Sequence, residues 1–282
     1  MARVAGTLVR LQGLATRAQL RQNGCTDHEI RDYVAAGFAK TVRRSWLAAP
    51  TARREAVRAI ELGGILGGES ALRSMGVWVS HNTGLCVAAP RTASRLPPLR
   101  DGEYRVHPHT FVWPEGIRWR MGVVDALVVL AGRVSYQHLV ASIDSALHEG
   151  VLSARQLDEL FARLPARLRF ARALVEPLSA SGIETIFRLA AIAVGWHVQV
   201  QVDIPGIGLV DHLIDGWLIV ETDGDEFHSS RQQRAKDRSR DAAAVRKGMR
   251  SHRFGYEQIM NELDECIEVV ADILAAGRPG RF

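Results

Sequence analysis

Between Glu221 and His228 the chain reads ETDGDEFH, which places Glu221, Asp223, Asp225 and Glu226 within six residues. The apolar run WLIV leads straight into them. Carboxylates this close repel one another, so they belong either in a solvated turn or around a cation that their charges attract. Glu221 and Asp223 are two apart at the end of one candidate strand, GWLIVETDG, and side chains alternate faces along a strand, so these two share a face. Asp211 lies on the strand before, in GIGLVDHLI. Asp211 and Glu221 are the expected ligands of Mg²⁺ (or Mn²⁺), with Asp223 assisting. Such a cation would neutralise a phosphodiester oxygen, lower the pKa of a bound water and orient its attack. Glu184, on the preceding helix, would bind a water or a second ion, and His228 would act as general acid or base or hold the phosphate.

Whether Asp211 joins that face depends on the hairpin. A two-residue Asp215-Gly216 turn pairs Asp211 with Val220 and sets the carboxylates on opposite faces. A three-residue loop Ile214-Asp215-Gly216, with Gly216 left-handed in a bulge, pairs Asp211 with Ile219 and brings it diagonally across from Glu221. The metal reading requires the odd loop.

The elements around these acids run helix (IETIFRLAAIAVG), three strands, a basic helix, a short strand (MRSHRFG) and a long terminal helix. That order predicts one mixed-sheet α/β domain over 180–282. Upstream, Thr16 with Gln19 and Thr26 with Glu29 form two capping boxes, each opening a short helix that a glycine ends. FAKTVRRSWLAAP then alternates like a two-stranded wing. A winged helix-turn-helix over 1–50 is expected, with Arg31 on its second helix and Arg43 and Arg44 on the wing against DNA. A small helical cap for protein contacts is the alternative. Residues 51–170 read as an α+β middle domain, with GLCVAAP, EYRVHPH and FVWPEGIRWR as strands. His107 and His109 stand two apart on one of these, without a third ligand. A boundary is placed between Leu164 and Ser181, where the chain is rich in Arg and Ala and carries Pro165 and Pro177. The overall class is therefore α+β, built from these three parts.

The 282 residues are 47% apolar and 24% charged, enough for a sizeable core in two or three units. No apolar run approaches the roughly 18 residues of a membrane span, and the N-terminus lacks a signal-peptide core. Cys25, Cys86 and Cys266 are too far apart for a disulfide framework or a zinc site, so a reduced, cytoplasmic protein with no membrane partner is expected. The net charge is +5 and the basic residues gather in the first 55 positions and in 231–253, which favours a polyanionic partner. Arg234, Lys236 and Arg240 of the second cluster would contact the DNA backbone, Arg240 having an ion pair with Asp237 as its other reading.

VDHLIDGWLIVETDGDEFHSS followed by KDRSRDAAAVRKGMRSHRF resembles the very-short-patch-repair-like nuclease domain of the PD-(D/E)XK superfamily, over about residues 180–275. The matching positions are Glu221-Thr222-Asp223-Gly224, His228, Asp237 with Arg240 and Asp241, Gly248, Arg253-Phe254, and upstream Glu184 and Asp211. The resemblance implies a restriction-endonuclease-like fold and Mg²⁺-dependent hydrolysis of DNA. The superfamily's usual Lys is Asp223 here, as in the patch-repair-like branch, so charge stabilisation would shift to His228, Lys236 or the metal. The first 50 residues are similar to the winged-helix domain of AbiEi-type antitoxins, and GGESALRSMGVW and VVDALVVLAG fit the extension that follows it. That similarity implies a transcriptional regulator with operator DNA or a toxin as partner; winged-helix regulators are often homodimers on palindromic sites. Two readings result: a DNA endonuclease, or a non-catalytic regulator on a silent nuclease fold. Carboxyl groups on opposite faces, or more than about 6 Å apart, would favour the second.

Overall fold

The computed structural model describes residues 1–80, 84–110, 114, 116–223 and 240–280. It is a mixed α+β structure with three small sheets flanked by helices. No described helix is long and apolar enough to cross a membrane. The chain divides into two compact units: 1–76 with 81–133 and 155–163, and 77–80 with 134–154 and 164–282.

The first unit opens with helix Ala2–Arg10, strand β1 (Leu14–Thr16), helices Arg17–Gln22 and Asp27–Ala35, and strands β2 (Lys40–Val42) and β3 (Trp46–Ala48). The strands form an antiparallel sheet in the order β1-β3-β2. Both capping boxes close: the Thr16 hydroxyl accepts the Gln19 N–H at 3.1 Å, and the Thr26 hydroxyl accepts that of Glu29 at 3.2 Å. Each glutamate or glutamine side chain returns the bond to the cap N–H, at 3.0 Å from Thr16 and 2.8 Å from Thr26. The helices bury Val4, Leu8, Leu20 and Ile30 around Leu47. Thr16→Ala is expected to lower stability by about 1 kcal/mol, read from denaturant unfolding, because one N–H of the helix start loses its acceptor.

Strand β1 was absent from the sequence reading. Three residues carry no periodicity, and its strand geometry comes from pairing with β3. A second sheet joins β4 (Ile65–Leu66), β5 (Leu85–Ala88) and β6 (Glu103–Val106), with β5 and β6 parallel. GLCVAAP and EYRVHPH thus supply strands. The described part of FVWPEGIRWR does not, having only an isolated bridge from Arg120 to Leu66. Its Trp119 is buried instead and donates its indole N–H to the Leu11 carbonyl at 3.1 Å. This bond and that from Gln19 to the Gly116 carbonyl (2.6 Å) tie the first 50 residues into one unit with much of the middle segment.

The second unit holds β7 (Val198–Ile204), β8 (Gly208–Ile214), β9 (Leu218–Asp223) and β10 (Arg250–Gly255) in the order β10-β9-β8-β7. β7, β8 and β9 are antiparallel neighbours, and β10 runs parallel to β9. The sheet carries a separate apolar cluster on each face. Ile214, Leu218 and Val220 pack with Ile183, Ile186 and Phe187 of helix Gly182–Ala193 and with Ile259 and Val270 of the terminal helices. Leu213 and Ile219 pack on the other face with Ala244, in helical residues 240–246, and Met249. Residues 164–181, expected to be a boundary, carry a 3-10 helix, Ala166–Leu174, and belong to this unit.

One ion pair lies inside this core. Asp144, on helix Tyr136–His148, is fully buried and accepts from Arg188 Nη2 and the Thr185 hydroxyl, each at 2.9 Å, and from the Glu176 N–H at 2.8 Å. Arg188 also donates to the Leu174 carbonyl at 2.9 Å. Trp78 lies so close to Gly182 that a Cβ there would collide with its ring.

Candidate functional site

The β8–β9 register pairs His212 with Val220, Leu213 with Ile219 and Ile214 with Leu218. The connection is the odd, three-residue loop that the metal reading required, but it is Asp215-Gly216-Trp217 rather than Ile214-Asp215-Gly216. Asp215 and Gly216 are both left-handed (φ 48° and 72°), and the Trp217 N–H returns to the Ile214 carbonyl at 3.1 Å. The Asp-Gly turn chemistry is therefore kept. Trp217 adds the extra residue because its ring is buried in the core with Leu218 and Ile214. The pairing ends at His212 and Val220, and alternation breaks just beyond it: Val210 packs with Leu213 on one face, while Ile214 packs on the other.

Asp211 Oδ2 accepts the Thr222 N–H at 2.9 Å. Burial pushes its carboxyl up to about 6, against the pull of that N–H, and the charges of Glu184, Glu221 and Asp223 push it the same way as burial. Three of the predicted acids thus act on the fourth. Glu221 is buried, and its Oε1 accepts from Arg240 Nη2 at 2.7 Å while Oε2 pairs with Arg253 Nη2. Arg253 Nε lies 2.8 Å from Asp223 Oδ2. Arg240 also donates to the Leu209 carbonyl at 2.7 Å. Arg240, expected as a DNA-backbone contact, thus has its guanidinium on Glu221, and its fork of donors suits a carboxylate as well as a phosphate.

Glu184 enters from helix Gly182–Ala193, whose start is capped by Ser181. It is buried, and its Oε2 accepts from the Ala180 N–H at 2.9 Å and from Gln201 Nε2 at 2.8 Å. Gln201 lies on β7 between two residues paired with the flanks of Asp211, and its backbone is left-handed at φ 49°. Side-chain-bearing residues are uncommon there, and such strain gathers at functional sites. His212 fixes the helix to the sheet: Nε2 faces the Glu184 carbonyl at 3.1 Å and Nδ1 the Val220 carbonyl at 3.2 Å. Burial holds its pKa down to about 4, so the neutral ring donates to one of these oxygens.

His228, Arg234, Lys236 and Asp237 lie outside the described residues. Arg31, Arg43 and Arg44 are exposed, Arg31 on helix Asp27–Ala35 and the other two in the turn joining β2 to β3. The His107 and His109 rings have separate partners, the Ala89 carbonyl (3.1 Å) and Arg91 (2.9 Å). In sequence, Arg253 stands out only as a motif position. Its place beside Glu221 follows from the parallel β9–β10 register, which pairs the two residues.

Arg240 and Arg253 are paired with Glu221 and Asp223, while Glu184 and Asp211 accept from the Ala180 N–H, Gln201 and the Thr222 N–H. No three His, Cys, Asp or Glu side chains among those residues are arranged to hold a metal ion between them.

No family model matches the chain. No curated protein matches it. Among solved structures it is similar to the RV2827C protein from Mycobacterium tuberculosis, at 17% identity over 65% of this chain and 79% of that one, with a TM-score of 0.27. A likeness at that level carries no argument, and the functional reading rests on the residues.

Proposed function

We propose that the protein binds DNA through a winged helix-turn-helix in its first unit and hydrolyses phosphodiester bonds with a restriction-endonuclease-like second unit. The observation that supports this reading is the gathering of Glu184, Glu221 and Asp223 around the half-buried Asp211, whose carboxyl their charges raise together with burial. Mg²⁺ or Mn²⁺ held by Asp211 and Glu221 would supply charge neutralisation and an activated water. Burial first, and then the charges of Glu184, Glu221 and Asp223, raise the Asp211 pKa, and a cation there would favour its ionised form. Glu184 and His212 hold the helix start against the strands, which fixes the acids' spacing. With Asp223 in place of a lysine, Arg240 and Arg253 are the described cations beside the acids, and they carry the charge stabilisation of a bound phosphate.

The test is cleavage of supercoiled plasmid with Mg²⁺ or Mn²⁺, wild type beside Asp211→Ala. Nicking or linearisation that requires the ion and disappears in the variant is the expected result. One observation favours the other reading: both oxygens of Glu221 already carry guanidinium partners. On that reading the acids and arginines clamp β9 to its crossover, and the protein is a regulator. No cutting by pure wild-type protein, with salt-sensitive DNA binding intact in the variant, would establish it.

A further inference from the structure

Two of the five described residues other than glycine with a left-handed backbone are arginines that line one groove: Arg43 at φ 47° and Arg95 at φ 53°. The groove, about 690 Å³, lies in the first unit between the β2–β3 turn, the Gly63-Gly64 bend and residues 93–96. Arg44 is the third cation on its wall, Ser45 and Ser94 add hydroxyls, and no acid lines it. None of the three arginines makes an ion pair or side-chain hydrogen bond among the described residues. Arg133, Arg163 and Arg58 of the same unit each hold a carboxylate. Gly63 shapes the wall: a Cβ there would collide with the Arg43 guanidinium and with Leu96. Three like charges around an acid-free hollow repel one another, and two of them sit on a backbone conformation that glycine would adopt more readily. Arginine at such positions is explained by a ligand that needs its fork of donors.

The geometry points to a phosphate seat in which Arg95 works with Arg43 and Arg44 to hold the backbone of a DNA strand. It rests on the reading of this unit as DNA-binding. It extends the contact surface from the β2–β3 turn to residues 93–96, which the sequence reading left without a role. Contacts of this kind add affinity without sequence preference and steepen the dependence on salt.

The test is fluorescence anisotropy of the full chain on duplex DNA across a salt series, for wild type, Arg95→Gly, Arg43→Gly and Arg31→Ala. Glycine is chosen because it accepts the left-handed backbone, and melting temperatures confirm that each variant folds. Arg95→Gly is expected to weaken binding by about five- to tenfold at 0.1 M salt and to flatten the slope of log K against log salt by about one. Arg95→Gly with wild-type affinity and slope, while Arg31→Ala weakens binding, would overturn the seat and leave the DNA reading standing. Wild type that binds no duplex at any salt would overturn both. Inorganic phosphate that raises the melting temperature of wild type but not of Arg95→Gly, without any DNA binding, would replace the strand with a free anion.

Discussion

Asp211→Asn is expected to abolish divalent-dependent cleavage and at the same time to make the protein more stable. Losing an anionic ligand removes the activated water and the charge neutralisation together, so a fall in rate of about a thousandfold or more is expected. The stability change has the opposite sign. The folded carboxyl titrates near 6 against an ordinary value of 3.8, so the folded protein holds this proton more tightly than the unfolded chain. Stability from this group is therefore greatest below about pH 4 and is lost as pH rises through 6. At pH 7.5 the ionised group costs roughly 1–3 kcal/mol, which a neutral amide avoids while its oxygen still accepts the Thr222 N–H. The melting temperature of Asp211→Asn should rise by roughly 2–10 °C above pH 7 and match wild type near pH 4. Mg²⁺ should stabilise wild type, by about 2.7 kcal/mol at a hundredfold excess over Kd, and leave the variant unmoved. Equal stabilisation of both proteins by Mg²⁺ would place the ion elsewhere.

The other large effect concerns stability alone. Arg188→Met leaves Asp144 fully buried without its counter-charge and should cost about 3–5 kcal/mol, with a drop in melting temperature of roughly 6–20 °C. Burial already pushes Asp144 up to about 6, opposed by the Glu176 N–H and by Arg188. Removing the arginine raises it further. A raised acid loses its stabilising contribution as pH climbs, so the deficit of Arg188→Met should be larger at pH 8 than at pH 5. Urea unfolding at the two pH values reads this directly, and Asp144→Asn in the same chain should recover part of the loss. A deficit independent of pH, with no recovery in the double variant, would mean that packing rather than charge sets the cost.

What was legible in the sequence was local. Thr16 and Thr26 announce helix starts through partners three residues away, and Asp215-Gly216 announces a left-handed turn, because these bonds close within the segment. The order of elements around the acids was legible for the same reason. The offset of the β8–β9 loop was not, since it depends on where the Trp217 ring finds room in the core. Arg253 reaches Glu221 only through a parallel pairing that no spacing encodes. Asp144 and Arg188 are far apart in the chain, and nothing near either residue marks them as partners.

The second unit is not a contiguous stretch: it takes in 77–80 and 134–154 as well as everything after 163. Trp78 fills the space left by Gly182 beside the helix that carries Glu184, and Asp144 anchors that same helix through Arg188. The C-terminal stretch from 180 onwards is thus not a self-contained piece of chain. Residues 180–282 cut out alone would lose Trp78 beside Gly182 and the Asp144 partner of Arg188.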